Sequence, residues 1–189
     1  MSSTPTPLPS SGAAAPGRYR RSARWLRVLI ALGAGALLSN LVLTWVSPAA
    51  ALCEIKRATY LDDIGHFDAA ARLRCGIWEL VPLAVILTAL LRLWRLLGEY
   101  ERDRVFSPRA LESLRSFARW MTAAAIVSPL SNAVLSVLAT LGNAPGHRQL
   151  SVNISSEDYV MLLFGGVVLA ISSVMAEAAR LAEDNAGFV

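Results

Sequence analysis

Two cysteines, Cys53 and Cys75, stand 22 residues apart and flank a cluster of Asp62, Asp63, His66 and Asp68. Two thiols in an oxidising compartment can pair, and closing a loop of this length would contribute about 3 kcal/mol in the chain-entropy model. The same spacing equally admits two unpaired thiols. The cysteines do not form a C-x-x-C, so a thiol-oxidase chemistry has little to stand on. Aspartate and histidine are metal ligands. Yet Asp62 and His66, four residues apart among mixed neighbours, are equally one solvated helical turn, and no metal is expected there.

A second set of polar residues lies inside apolar sequence. Ser128, Asn132, Ser136 and Thr140 recur every four residues, so they share one helical face. Gly33, Ala36, Asn40 and Thr44 repeat the pattern, as do Gly166, Ala170, Ser173 and Glu177. Small residues let helices approach closely in lipid, and hydroxyl or amide bonds between helices contribute about 0.6–2 kcal/mol each. Helix-to-helix adhesion is the plainer reading of this polar face. A path for a small solute or ion is the alternative. Glu79 and Glu177 are acids near the ends of apolar runs. No phosphate loop, nucleophile elbow, zinc-protease helix or paired catalytic carboxylates occur, so neither enzyme activity nor a cofactor is expected.

The elements that carry these residues follow from composition. The chain has 189 residues, 54% of them hydrophobic and 17% charged, with mean hydropathy +0.47. That exceeds what one small core can hide from water. The apolar residues fall into four runs, near 28–46, 77–97, 120–141 and 159–176, each close to the roughly 20 residues that cross a bilayer. Trp25 and Trp45 bracket the first as interfacial anchors do, and Pro48 ends it. Glu79, Arg92 and Arg95 sit near the ends of the second, where long side chains reach water. Pro82 falls in its first turns, and Pro129 lies inside the third run, where it predicts a kink. Residues 1–22, rich in Pro, Ser, Gly and Ala, read as a disordered tail. Residues 23–189 read as one all-α domain, an integral membrane four-helix bundle.

Between the second and third runs lies "GEYERDRVFSPRALESLRSFARW", with nine charged residues. Ser107-Pro108 is a helix start, with serine as N-cap and proline at the first position. Leu111, Leu114 and Phe117 then recur opposite Arg109, Glu112 and Arg119. We expect an amphipathic elbow that runs into the third span. Thirteen Lys/Arg lie in the N-terminal segment, the elbow and the C-terminal segment, against five in the other two loops. The positive-inside rule puts both termini and the elbow in the cytoplasm. Cleavage of the first run as a signal peptide at Ala49–Ala51 is a weaker alternative, because the run exceeds the usual 7–15 apolar residues of such a signal.

"YERDRVFSPRALESLR" (Tyr100–Arg115) and "LFGGVVLAISSVMAEAARLAEDNAGFV" (Leu163–Val189) resemble a bacterial membrane family called domain of unknown function 2975. The resemblance implies a small four-span protein of the bacterial inner membrane. It brings no activity. Members look to be encoded beside a small helix-turn-helix repressor, which implies a regulatory partnership.

Two functional readings follow. One is a sensor or regulator that acts through its cytoplasmic face. The other is a small transporter or channel subunit that forms homo-oligomers. The expected docking surface joins Arg109, Arg115 and Arg119 of the elbow to Glu183 and Asp184 of the C-terminal segment. Its partners would be membrane lipid and a cytoplasmic regulatory protein, with no direct nucleic-acid contact.

Overall fold

The structure is a computed structural model that describes residues 18–61, 64–65, 67–102 and 107–186; for residues 18–20 and 182–186 it describes the backbone alone. The regular structure of the described residues is entirely helical: α1 (Arg18–Val46), α2 (Pro48–Thr59), α3 (Ala69–Tyr100), α4 (Pro108–Thr140) and α5 (Ser156–Ala186). Helices α1, α3, α4 and α5 are long and apolar enough to cross a membrane. No residue in the most apolar stretch of α1 is fully buried by protein. Leu29, Leu32, Leu43 and Val46 all face outward. Water would not tolerate such a surface, whereas lipid requires it. The chain is an all-α, multi-pass membrane protein.

The helices pack as an open row. α1 lies against α3, α3 against α4, and α4 against α5. α1 and α5 therefore form its two edges. At 1.5 Å per residue, α3, α4 and α5 are each about 45–50 Å long, well beyond the roughly 30 Å hydrocarbon core. Their surplus turns build structure at both ends of the row.

At one end α2 closes over the row. It begins where α1 stops: the Ser47 hydroxyl accepts from the Ala50 N–H at 3.5 Å, and Pro48 occupies the first turn. This is the serine–proline start that also opens α4, where Ser107 accepts from Ala110 N–H at 3.1 Å. Pro48 thus ends the first span, as expected, but also starts a helix that the sequence reading missed. Tyr60 ends α2 in the left-handed region, at φ 56°. Ile55 of α2 then packs on Cys75 of α3 and on Leu135 and Ala139 of α4, all of them buried. Trp45 closes the side of this cluster, its ring against the backbone of Gly76, where a Cβ would sit 3.2 Å from the indole. This end is the cap end. The opposite end carries the α3–α4 connection and is called the elbow end.

Two expectations about helix limits are revised. α3 starts at Ala69, capped by Asp68 accepting from Ala71 N–H at 2.7 Å, so Pro82 lies in the helix interior rather than in its first turns. α5 starts at Ser156, three residues before the expected span. Its start is a capping box: Ser155 Oγ accepts from Asp158 N–H at 3.1 Å, and the Asp158 carboxylate accepts from Ser155 N–H at 2.9 Å. The elbow helix does continue unbroken into the third span as α4. Most of the expected N-terminal tail, residues 1–17, lies outside the described residues, as do Asp62, Asp63 and His66.

The two cysteines are separate free thiols here, Cys53 exposed and Cys75 buried. The pairing considered from their spacing is not formed in this structure. The reason is geometric: Ile55 is the α2 residue that meets Cys75, and Cys53, two positions earlier, points from a different face of α2. A membrane-impermeant maleimide should therefore label Cys53 in the folded protein and reach Cys75 only after unfolding in SDS. Loss of labelling at Cys53 that reductant restores would show the pair to be joined.

Candidate functional site

Two residues of the α4 polar row, Ser136 and Thr140, have a specific use. Ser136 and Thr140 are fully buried. Each hydroxyl donates back to its own helix, Ser136 to the Ala133 carbonyl at 2.7 Å and Thr140 to the Ser136 carbonyl at 2.8 Å. Each is thereby left with an acceptor lone pair facing outward. Thr140 Oγ1 takes the N–H of Gln149 at 3.1 Å, and Ser136 Oγ takes the N–H of Ser151 at 2.9 Å. Residues 147–155, within the α4–α5 connection, therefore return along the end of α4 as a strap.

The register is set by arithmetic. Two residues of extended chain advance about 6.6 Å, and four residues of helix about 6 Å. Steps of two on the strap thus match steps of four on α4 at the two bonded positions, Gln149 with Thr140 and Ser151 with Ser136. Along "LSVNIS" (Leu150–Ser155) Leu150, Val152 and Ile154 are exposed, while Ser151, Asn153 and Ser155 are half-buried. Polar-inward and apolar-outward is the inverse of a water-soluble strand, and it suits a segment pressed between a helix and lipid. Sequence reasoning missed the strap, although its period-two alternation was there to be read. Ser136→Ala and Thr140→Ala should each lower stability by about 1–2 kcal/mol, because each leaves a strap N–H without its acceptor. Denaturation in detergent micelles measures this; full stability in both variants would detach the strap from α4.

The other two polar faces are not joined to this row. Asn40 and Thr44 of α1 instead face Glu79 and Pro82 of α3 and Glu54 of α2 across a cavity of about 150 Å³. Glu54 is held by Arg57 at 2.9 Å, and its carboxylate raises the Arg57 pKa, first by that hydrogen bond and then by its charge. On α5, Ser173 is exposed and donates to its own helix at Leu169, while Glu177 pairs with Arg180 one turn away at 3.5 Å. Neither reaches another helix.

The elbow end holds a different interhelical contact. Arg27 of α1 donates to Glu101, just past the end of α3, at 2.6 Å. Its guanidinium also lies 4.4 Å from the centroid of the Trp94 ring. Both charges are about three-quarters buried, so this pair is less screened than a surface one. It fastens the edge helix α1 to the centre of the row. The sequence offered no spacing signal for it, since the partners are 74 residues apart.

Beside this latch opens a cleft of about 610 Å³ between α1, α3 and the first turns of α4. Arg27, Arg95, Arg102 and Arg109 line it with Trp94. The expected docking residues are divided by the structure. Arg109 lines the cleft; Arg119 pairs with Glu112 of its own helix at 2.8 Å; Arg115 sits half-buried on α4. The side chains of Glu183 and Asp184 lie outside the described residues. No group of three or more potential metal ligands gathers among the described residues.

Residues 57–187 match the model of a family described as "Protein of unknown function (DUF2975)". No curated protein and no solved structure matches the chain.

Proposed function

This chain belongs to the DUF2975 family, and on that premise we propose that it is a regulator or sensor of the bacterial inner membrane which acts through the elbow end of the row. On this reading both termini and the elbow face the cytoplasm, because thirteen Lys/Arg against five favour that orientation. The observation that carries the proposal is the Arg27–Glu101 latch beside the arginine-lined cleft. A single pair, stacked on Trp94, fixes an edge helix at the membrane boundary. An effector that competes for Arg27 or Glu101 would free α1 there. A switch of this kind needs only a few kcal/mol between its states. The partner would be a cytoplasmic protein that reads the exposed charges of α4.

A transporter or channel subunit is the second reading, and the cavity of Asn40, Thr44 and Glu79 favours it. Against it, Ser136 and Thr140 of the α4 polar face are already engaged by the strap.

The test is photo-crosslinking in living cells from residues 109 and 115, with residue 149 as control. A regulator gives a protein adduct from the first two sites and none from the third, and Glu101→Gln changes its yield. Adducts that are equal at all three sites and indifferent to Glu101→Gln would remove the regulatory reading. Solute uptake lost on Asn40→Ala or Glu79→Gln would replace it with transport.

A further inference from the structure

We infer that the cleft at the elbow end, together with the groove that leads from it, is a binding site for one acidic phospholipid of the cytoplasmic leaflet. The inference rests on the orientation proposed above and names the ligand of that face.

The cleft is positive after its internal pairs are counted. Glu101 neutralises Arg27, Glu99 neutralises Arg102 at 3.3 Å, and Glu112 is taken by Arg119. Arg95 and Arg109 remain, both exposed and without an acidic partner among the described residues. They approach the cleft from different helices, α3 and α4. The first turn of α4 forms its floor, and the positive end of that helix dipole adds to the field. A phosphate ester at the membrane boundary is the ligand that two guanidinium groups and a helix start fit best.

A soluble phosphate would need no more than this, but the structure offers more. Trp94 is shared between the cleft and a second cavity of about 320 Å³, which runs up the seam of α1 and α3. Ile30 and Ala34 line one side of it, Leu87 and Leu91 the other. This groove is almost wholly apolar and continues along the same faces of both helices, since 27, 30, 31 and 34 on α1 and 87, 91, 94 and 98 on α3 are helical neighbours. An anionic head in the cleft thus places an acyl chain in the groove, with the Trp94 ring at the headgroup level where indoles settle. Charge and greasiness meet in the order a phospholipid presents them.

The experiment uses the full-length chain in nanodiscs, read by native mass spectrometry after release into detergent. Phosphatidylglycerol should be retained as a single bound lipid and phosphatidylcholine should not. Arg95→Gln with Arg109→Gln should weaken retention roughly thirtyfold, the loss of two basic contacts near a membrane surface. The variant keeps an excess of basic residues on the elbow side, so its orientation is preserved. Ala34→Trp fills the groove without touching a charge and should also expel the lipid, which keeps the idea testable if the double variant fails to insert. Equal retention of both lipids, or of phosphatidylglycerol in both variants, would overturn the proposal. Displacement by glycerol 3-phosphate as readily as by phosphatidylglycerol would overturn it in favour of a soluble phosphate ligand. None of these readings depends on a protein partner, so a failed crosslink leaves the lipid result standing, and the reverse.

Discussion

Gly165→Leu should separate α5 from the rest of the protein. α5 packs on α4 and on little else, and Gly165 lies close against Thr122 and Ala118 of α4. A Cβ there would lie 2.6 Å from Thr122 Oγ1 and 3.1 Å from the Thr122 backbone nitrogen. The hydroxyl could rotate away, but the backbone cannot. Overpacking at such a site costs about 3 kcal/mol, and in lipid no compensating solvent-driven force pulls the helices back together. The expected result is a lower unfolding midpoint in detergent and protease access to the α4–α5 strap. Gly166→Leu is the control: nothing lies within 4 Å of its Cβ position, so it should be tolerated. Equal stability of the two variants would mean that α5 does not dock through Gly165.

The second large effect is at the cap end. Leu135→Ala should lower stability by about 3 kcal/mol through lost burial and the cavity left behind. Leu135 is 1% exposed, and Ile55, Cys75 and Ala139 surround it. Around them stand Trp45, Trp78 and Phe67, and the Trp78 indole donates to the Ser131 carbonyl at 3.1 Å. The cluster draws on α1, α2, α3 and α4 at once, so a cavity there loosens four helices. Val134, one residue earlier and 37% exposed, faces outward, and Val134→Ala should shift the midpoint little. A similar cost at both positions would contradict the assignment of Leu135 to a core.

The four spans are legible in the sequence because apolar runs of this length and number exceed any core that a chain of this size could build, and only lipid can cover them. Their limits are less legible. Charge marks where an apolar run stops, not where a helix stops: α3 begins eight residues before Ile77, and α5 begins with Ser156, Glu157 and Asp158. Caps determine these ends, and Asp68 and Ser155 supply them from outside the apolar runs. The serine–proline start is plain at Ser107. At Ser47 the same signal is masked, because the apolar run before it makes Pro48 read as termination alone. The polar row of α4 can be identified residue by residue. Its partner cannot, because a strap that pairs backbone to a helix face leaves only a faint alternation in its own sequence. The Arg27–Glu101 contact is of another kind. It depends on the packing of α1 beside α3, which hydrophobicity alone does not specify.

The side of the membrane that the elbow end faces decides the regulatory and the lipid readings together. Single cysteines at Arg109→Cys and at Gln149→Cys, each placed in a Cys53→Ser, Cys75→Ala background, report this with an impermeant thiol reagent. In intact cells stripped of the outer barrier, Gln149→Cys should be labelled, and Arg109→Cys should be labelled only in inverted vesicles. The opposite pattern would put the latch, the cleft and the lipid site on the outer face and would contradict the regulatory reading at its base.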